Sequence, residues 1–256
     1  MDGAVELKSE KEIGIMKIGG AILKSVMSEL LLMSKPGISL RTLDMHAEKL
    51  ITESGAIPSF KKVKGYHWSI CTCVNDIVVH GIPTDYLLTE RDVIGIDCGV
   101  YYKGFHTDSS WSVRVRNDNS RPKDEVDTFL AIGEVALRKG IAKVKEGNFI
   151  YDISKAIQEE VESHGYGVVR SLIGHGVGRN LHEEPEVPGY VKGEREKTPK
   201  ITPGLVLAIE VIYTMGKPDV VYKGSDEWTI VTKDGKMAGL FEATVAQTAH
   251  GALVLT

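Results

Sequence analysis

The chain has 256 residues, 42% of them hydrophobic, and a net charge of −4, which allows one large core or two small ones. That acidic balance excludes a nucleic-acid binder held by phosphate neutralisation, and Lys61, Lys62, Lys64 and the lysines around 192–200 read as solvated loops. Cys71, Cys73 and Cys98 are scattered thiols in a chain large enough to fold without disulfides, which points to a reducing, cytoplasmic setting.

The first residues have no signal-peptide pattern. The apolar stretch 13–33 is broken by Lys17, Gly19, Gly20, Lys24 and Glu29, so no membrane span is expected. Ile13, Met16, Gly20, Leu23, Met27 and Leu30 instead predict an amphipathic helix over 10–33, ended by Lys35-Pro36-Gly37. Ser39 can cap a second helix over 40–54, with Leu40, Leu43, Ala47 and Ile51 inward and Gly55 closing it. Strands follow at 69–80 and 92–115, separated by turn residues 81–84. A helix is expected over 123–144, and another carries Ile150, Ile153, Ile157 and Val161 before Gly165. Gly37, Leu40, Leu43, Ala47, Ile51 and Gly55 each have an equivalent 110 positions later. This suggests an internal duplication, with halves of about 10–115 and 123–250 forming one domain over 1–256. The remaining strands are expected at 167–173, 205–215, 227–232 and 237–249, the last two joined as a hairpin by Asp234-Gly235.

The stretch 92–115 reads as a hairpin turning at 101–104, with Gly104 supplying the permissive backbone. Folded symmetrically, it sets Asp97 opposite Asp108, roughly 5 Å apart on a face that also holds Gly95, Gly99, His106 and Ser110. The other face carries Ile94, Ile96, Cys98, Val100, Phe105 and Trp111, as a core requires. Two like charges facing each other in a half-buried sheet call for a cation between them.

Three more stretches place polar groups where a core strand should be apolar. Glu210 interrupts the run 205–213, Glu242 interrupts 239–245, and His175 sits between glycines in 173–178. A buried, unpaired glutamate costs several kcal/mol or titrates to neutral. Asp97, Asp108, His175, Glu210 and Glu242 together make four carboxylates and one imidazole. Four converging negative charges call for two divalent cations. The donors are oxygen-rich and free of thiolate, which suits Mn, Fe, Co or Zn in a catalytic pair that activates water and polarises a carbonyl. Other motifs fail: GHGVGR lacks dinucleotide-fingerprint spacing, His182-Glu183-Glu184-Pro185 lacks the second histidine of the helical zinc motif, and no G-x-S-x-G occurs.

Six ordered segments resemble the methionine aminopeptidases of the shorter type I form. They are CTCVNDIVVHGIP (71–83), IDCG with HTD (96–108), GHGVGRNLHEEP (174–185), LAIE (207–210), EWTIVTKDG (227–235) and FEATV (241–245). The resemblance implies an α+β, pita-bread fold of two pseudo-twofold halves around a curved antiparallel sheet. It implies that Asp97 chelates one metal, that His175 and Glu210 hold the other, and that Asp108 and Glu242 bridge both. Glu210 would accept the proton of the attacking water. His182 would hydrogen-bond the substrate at the scissile bond, and His80 would steady the tetrahedral intermediate or pass a proton to the leaving amine. Tyr66, Cys71 and Trp228 would line the methionine pocket. The expected partners are N-termini of nascent polypeptides, with the ribosome as a candidate contact, no nucleic acid and no membrane, for a monomeric cytoplasmic enzyme. The chain departs from the family at Ala243, Val211 and Leu181, where histidine, proline and an aromatic residue are usual. Two alternatives share the fold: an Xaa-Pro peptidase, which usually carries a large extra N-terminal domain, and a non-catalytic binding protein, which typically loses metal ligands.

Overall fold

In a computed structural model that describes residues 4–117 and 123–256, helix α1 (Glu10–Met33) starts from a reciprocal cap. The Ser9 hydroxyl accepts from the Glu12 N–H, and the Glu12 carboxylate accepts from the Ser9 N–H. Ser39 caps α2 (Leu40–Glu53) by accepting from the Thr42 N–H. The chain continues through β1 (Ile57–Pro58), β2 (Ile70–Val74), β3 (Ile77–Val79), β4 (Val93–Tyr102) and β5 (Phe105–Arg114). Then come α3 (Glu125–Ile141), capped by Asp124, and α4 (Ile150–Ser163). The last strands are β6 (Gly167–Val168), β7 (Gly174–Gly176), β8 (Glu183–Val187), β9 (Val206–Thr214), β10 (Val220–Tyr222), β11 (Ile230–Thr232), β12 (Ala238–Thr248) and β13 (Gly251–Val254).

An antiparallel sheet runs in the order β1-β4-β5-β12-β9-β7-β8, with β2 on β4, β6 on β9 and β13 on β12; β10-β11-β3 form a separate small sheet. Helices α1 and α2 cover one end of the large sheet around Leu23, Leu30, Leu43, Ile51, Ile94 and Ile96. Helices α3 and α4 cover the other end around Phe129, Ile153, Ile157, Ile209, Val211 and Phe241. The two ends repeat each other's contacts. Both α2 and α4 have 14 residues. Gly37 and Gly147, each at φ +88°, donate to the carbonyls of Leu88 and Ile201, while Leu40 and Ile150 donate to Tyr86 and Pro199. Trp111 packs against both cores.

Besides the expected strand 167–173, which is regular only over β6 before pairing resumes at β7, three expectations need correction. The β4–β5 hairpin turns on two residues, Lys103 (φ +45°) and Gly104 (φ +96°), a conformation that matches strand twist. Asp97 therefore pairs with Ser110, and Asp108 with Gly99. The shift from the expected pairing is two residues, so every side chain keeps its face. Second, β11 and β12 are not a hairpin: β11 pairs with β10 and β3, and β12 with β5, β9 and β13. The turn at Gly235 (φ +69°) carries the chain from one sheet to the other. Third, the expected strand 69–80 breaks at Asn75 (φ +57°), so that β2 joins the large sheet and β3 the small one.

The seam between β5 and β12 is unusual. Only Glu242–Ser110 and Ala243–Ser109 pair directly. Elsewhere hydroxyls stand between the strands: Ser112 Oγ donates to the Leu240 carbonyl and accepts from the Leu240 N–H, each at 2.9 Å. Thr244 Oγ1 accepts from the Asp108 N–H at 2.9 Å and donates to the Asp108 carbonyl at 2.8 Å. A hydroxyl inserted into a ladder spaces the strands wider than a direct amide–carbonyl bond does.

Behind this seam α3 lies close on the sheet at Gly133. A Cβ there would sit 2.5 Å from the Phe241 ring. Gly133→Ala gains up to about 1 kcal/mol of helix propensity but forces a packed aromatic to move, at about 1–3 kcal/mol. The expected net outcome is a lower urea midpoint; a raised midpoint would show that the contact is soft.

Candidate metal centre

Five polar side chains meet because strand pairing lines them up in two neighbouring rows on one face of the large sheet. Asp97 on β4 pairs with Ser110 on β5, Ser110 with Glu242 on β12, and Glu242 with Glu210 on β9. The next row runs through Gly99, Asp108, Thr244, Ala208 and His175 on β7. Cross-strand neighbours stand about 4.5–5.5 Å apart, and members of adjacent rows about 7 Å, so long side chains from both rows reach a common point. Donor atoms of Asp108, His175 and Glu242 all lie within 4.8 Å of one another. His175 Nε2 is 3.6 Å from Glu210 Oε1.

A cavity of about 130 Å³ opens over these rows. Asp97, Asp108, His175, Glu210 and Glu242 line its floor, and His80 and His182 join them. The walls are Phe60, Val63, Tyr66, Cys71, Val79, Leu181 and Trp228. The Tyr66 ring meets Trp228 edge-on at 5.1 Å and Phe60 at 6.3 Å. Its hydroxyl donates to the Ile70 carbonyl at 2.9 Å and lies 3.2 Å from Cys71 Sγ.

Burial dominates the electrostatics. It pushes Asp97 up to about 7 and holds Asp108, Glu210 and Glu242 well above the usual carboxylate range, with mutual repulsion adding to the effect on the last three. Burial also lowers His175 to about 3 and His80 to about 4, each further depressed by His182, and it lowers His182 itself. The neutral His175 ring donates from Nδ1 to the Gly176 carbonyl at 2.9 Å, which leaves the Nε2 lone pair facing the carboxylates. Asp97 Oδ1 is buried and accepts no hydrogen bond from any described residue. An oxygen-rich set with an orphaned acceptor and a free imidazole nitrogen fits divalent cations, whose charge would favour the ionised carboxylates.

Every residue given a metal, catalytic or pocket role from the sequence reaches this cavity, and some arrive in ways the sequence did not signal. His80 follows β3 with φ +56°, a left-handed conformation rare outside glycine and common at functional sites. Trp228, which on sequence alone reads as core, is half-buried in the wall. Of the three departures, Leu181 faces the cavity, whereas Val211 and Ala243 belong to the apolar core behind the sheet, since they alternate with Glu210 and Glu242 along their strands. Phe60, Val63 and Val79 went unnoticed because single apolar residues carry no mark of a pocket. Thr244 left a weak signal, a polar residue two places from Glu242 in a buried run.

The chain belongs to metallopeptidase family M24, whose model matches residues 14–248, and with that membership goes the use of divalent metal. Its relatives include methionine aminopeptidase 1 of Bacillus subtilis, 43% identical over 97% of this chain and 98% of the relative, and the methionine aminopeptidase of Clostridium perfringens, 42% identical over 98% of each. Among solved structures it resembles the methionine aminopeptidase of Thermotoga maritima, with TM-score 0.92 and 33% identity over 99% of each chain. The prolidase of Pyrococcus furiosus shares the fold, with TM-score 0.77 and 21% identity over 98% of this chain and 65% of that one. The fold is therefore the pita-bread type, and no helix among the described residues is long and apolar enough to cross a membrane.

The buried charges set the pH dependence of the metal-free protein. A carboxylate with a raised folded pKa binds more protons folded than unfolded, so stability falls as pH rises from its unfolded value towards its folded one. The buried histidines have lowered folded values; their contribution grows until the unfolded rings are neutral, about one unit above their unfolded value of about 6.5, and is constant beyond that. Between about pH 7.5 and 8.5 the raised carboxylates set the sign, and the buried thiols, whose values burial also raises, act in the same direction. In chelator, the urea midpoint is expected to fall over that window, and saturating manganese(II) is expected to raise it and remove the fall. A chelated protein whose midpoint is flat or rising there would contradict the convergence of charge.

Proposed function

We propose that the chain removes the N-terminal methionine from nascent polypeptides in the cytoplasm, acting as a monomer with two divalent ions. We also read it as one catalytic domain over 1–256 made of two halves, about 10–115 and 123–250, with the site between them. The observation that carries the activity is a single cavity in which four carboxylates and an imidazole face an apolar wall containing a thiol and aromatic rings.

In this reading Asp97, Asp108, His175, Glu210 and Glu242 would hold the metal, with Asp108 and Glu242 available to both ions, as the family resemblance implies. When bound, the metal supplies a Lewis acid that activates water and polarises the scissile carbonyl. Glu210 takes the proton of the attacking water. His80 and His182 are neutral at pH 7, because burial disfavours their cations, so each can offer an N–H to a carbonyl oxygen or the developing oxyanion without bringing a charge that would repel metal. His182 lies beside His175, with ring centroids 4.3 Å apart. It is assigned to the substrate carbonyl, and His80 to the tetrahedral intermediate or the leaving amine. Tyr66, Cys71 and Trp228 receive the methionine side chain. Burial keeps Cys71 a thiol, well above its usual pKa, so it packs as a soft apolar group instead of competing for metal.

A Met-Ala-Ser peptide should be cleaved after methionine, with activity lost on thorough chelation and restored by divalent metal. Faster turnover of Xaa-Pro than of Met-Ala substrates would move the assignment to the proline-specific peptidases of this fold. Asp97→Ala should lose bound metal and at least about 100-fold in kcat, more than is typical for an outer-shell partner, with unchanged helical circular dichroism. Retention of stoichiometric metal by that variant would remove Asp97 from the ligand set.

A further inference from the structure

His182 sits on residues 177–182, between β7 and β8, a segment outside the regular ladder of the sheet. Inside the segment, Gly178 N–H donates to the Asn180 carbonyl at 3.0 Å. The Val177 N–H donates to the Val206 carbonyl of β9 at 3.1 Å, and the anchors beyond it come from the first half of the chain. The His106 N–H of β5 donates to the Gly178 carbonyl at 2.7 Å. Arg179 pairs with Glu12 of α1, and its guanidinium lies 4.9 Å from the centre of the Phe105 ring. The deepest anchor is Lys8, in the arm that precedes α1.

Lys8 Nζ pairs with Glu183 Oε2, with side chains only 3% and 6% exposed. The other oxygen, Glu183 Oε1, accepts from the Asn180 N–H at 2.8 Å. One carboxylate thus ties the segment's backbone to the arm, immediately beside His182. Lys8 is itself fixed by two bonds: Nζ donates to the Glu6 carbonyl at 2.8 Å, and its N–H donates to the Gly204 carbonyl at 2.7 Å. The segment makes room for it at Gly178, where a Cβ would lie 2.6 Å from Lys8 Nζ and 2.9 Å from Glu183 Oε2. A buried pair of this kind is weak as a source of stability but defines one geometry, because either charge alone is left uncompensated.

We propose that Lys8 is a positioning residue: through Glu183 and the Asn180 N–H it sets the segment that presents His182 to the cavity. The arm before the first helix is then part of the active-site framework, although it contributes no atom to the cavity wall. This inference rests on the role given to His182 above. Its consequence is kinetic. Loosening a catalytic imidazole by about 1 Å can cost about 100-fold in rate, while the metal donors, held on β4, β5, β7, β9 and β12, stay in place.

The test uses the full chain loaded with manganese(II) and a Met-Ala-Ser peptide. Lys8→Met is expected to bind metal as the parent does and to lose about 100-fold in kcat, with KM much less affected, and Lys8→Arg is expected to recover most of the loss. In a His182→Ala background Lys8→Met should add no further loss, because the group it positions is gone. Full kcat in Lys8→Met, or a loss that adds to that of His182→Ala, would overturn the proposal. If Lys8→Met does not fold, Glu183→Gln replaces it, since the amide oxygen can still accept from Asn180 while the partner charge is lost; the same non-additivity is expected, and additivity again overturns. A parent enzyme inactive on the peptide would sink the function itself, whereas an active parent with an unaffected Lys8→Met sinks only the positioning role.

Discussion

Four carboxylates repel one another inside this sheet, and much of the architecture around them follows from that repulsion. Two unit charges 4 Å apart at an effective dielectric of 20 cost about 4 kcal/mol, a large share of the 5–15 kcal/mol that typically separates folded from unfolded chains. Burial and neighbouring charge push Asp108, Glu210 and Glu242 towards their neutral forms, and burial does the same to Asp97. Such a cluster holds its place only if the scaffold is stiff without it, or if cations are present. The two thick apolar cores behind the sheet supply the first condition. Family M24 membership supplies the second.

The scaffold solves the placement problem with strand pairing. A helix would present five donors along a stripe, but a sheet presents them as a grid, and two rows of that grid suffice. The widened seam between β5 and β12 matters here. Where Ser112 and Thr244 interpose their hydroxyls between the strands, the backbone stays satisfied while the strands stand apart, so side chains from both can share one volume. The hydroxyls are short and uncharged, and replacing them with larger apolar groups would leave amide and carbonyl groups without partners. Polar residues in a buried strand are thus explained in two ways in the same stretch: Glu242 by the ion it would bind, Thr244 by the ladder bonds it replaces.

Much of this was legible in the chain because the strongest signals were violations of a simple pattern. Glu210 in a run of Val, Leu, Ile and Ala stands out, though a strand glutamate is ordinarily at an edge, and the alternation along 92–115 put Asp97 and Asp108 on one face for any register shifted by an even number of residues. The pairing itself was not legible: whether the turn takes two residues or four depends on Lys103 adopting φ +45°, which nothing about a lysine announces. The mistaken hairpin at Asp234-Gly235 has a similar origin. A turn signal tells where the chain bends but not which partner the next strand meets, and β12 found better-matched neighbours in β9 and β5. Lys8 was invisible for another reason. A lysine near the start of a chain is ordinarily solvated, and only contact across 175 positions with Glu183 shows it to be buried.

These placements divide the site into parts with different mechanical character. The five acidic and imidazole side chains stand on paired strands, where displacing the backbone beneath one of them means breaking the ladder. His80 stands at a left-handed residue just past a strand end, and His182 on a segment tied down from outside. A bound ion would add rigidity only to the first group, since any ligand stabilises the states that bind it, by about 2.7 kcal/mol at a hundredfold excess over Kd. The two histidines gain nothing directly from it. Their order has to come from the protein alone, which is why charge–charge and backbone contacts from the first half of the chain, at Glu12, His106 and Lys8, converge on the short stretch that carries one of them. The five residues proposed to hold metal, fixed by sheet geometry, and the two histidines proposed to act on substrate, one of them fixed by contacts between distant stretches, can then be altered separately, by substitutions that reach one set and spare the other.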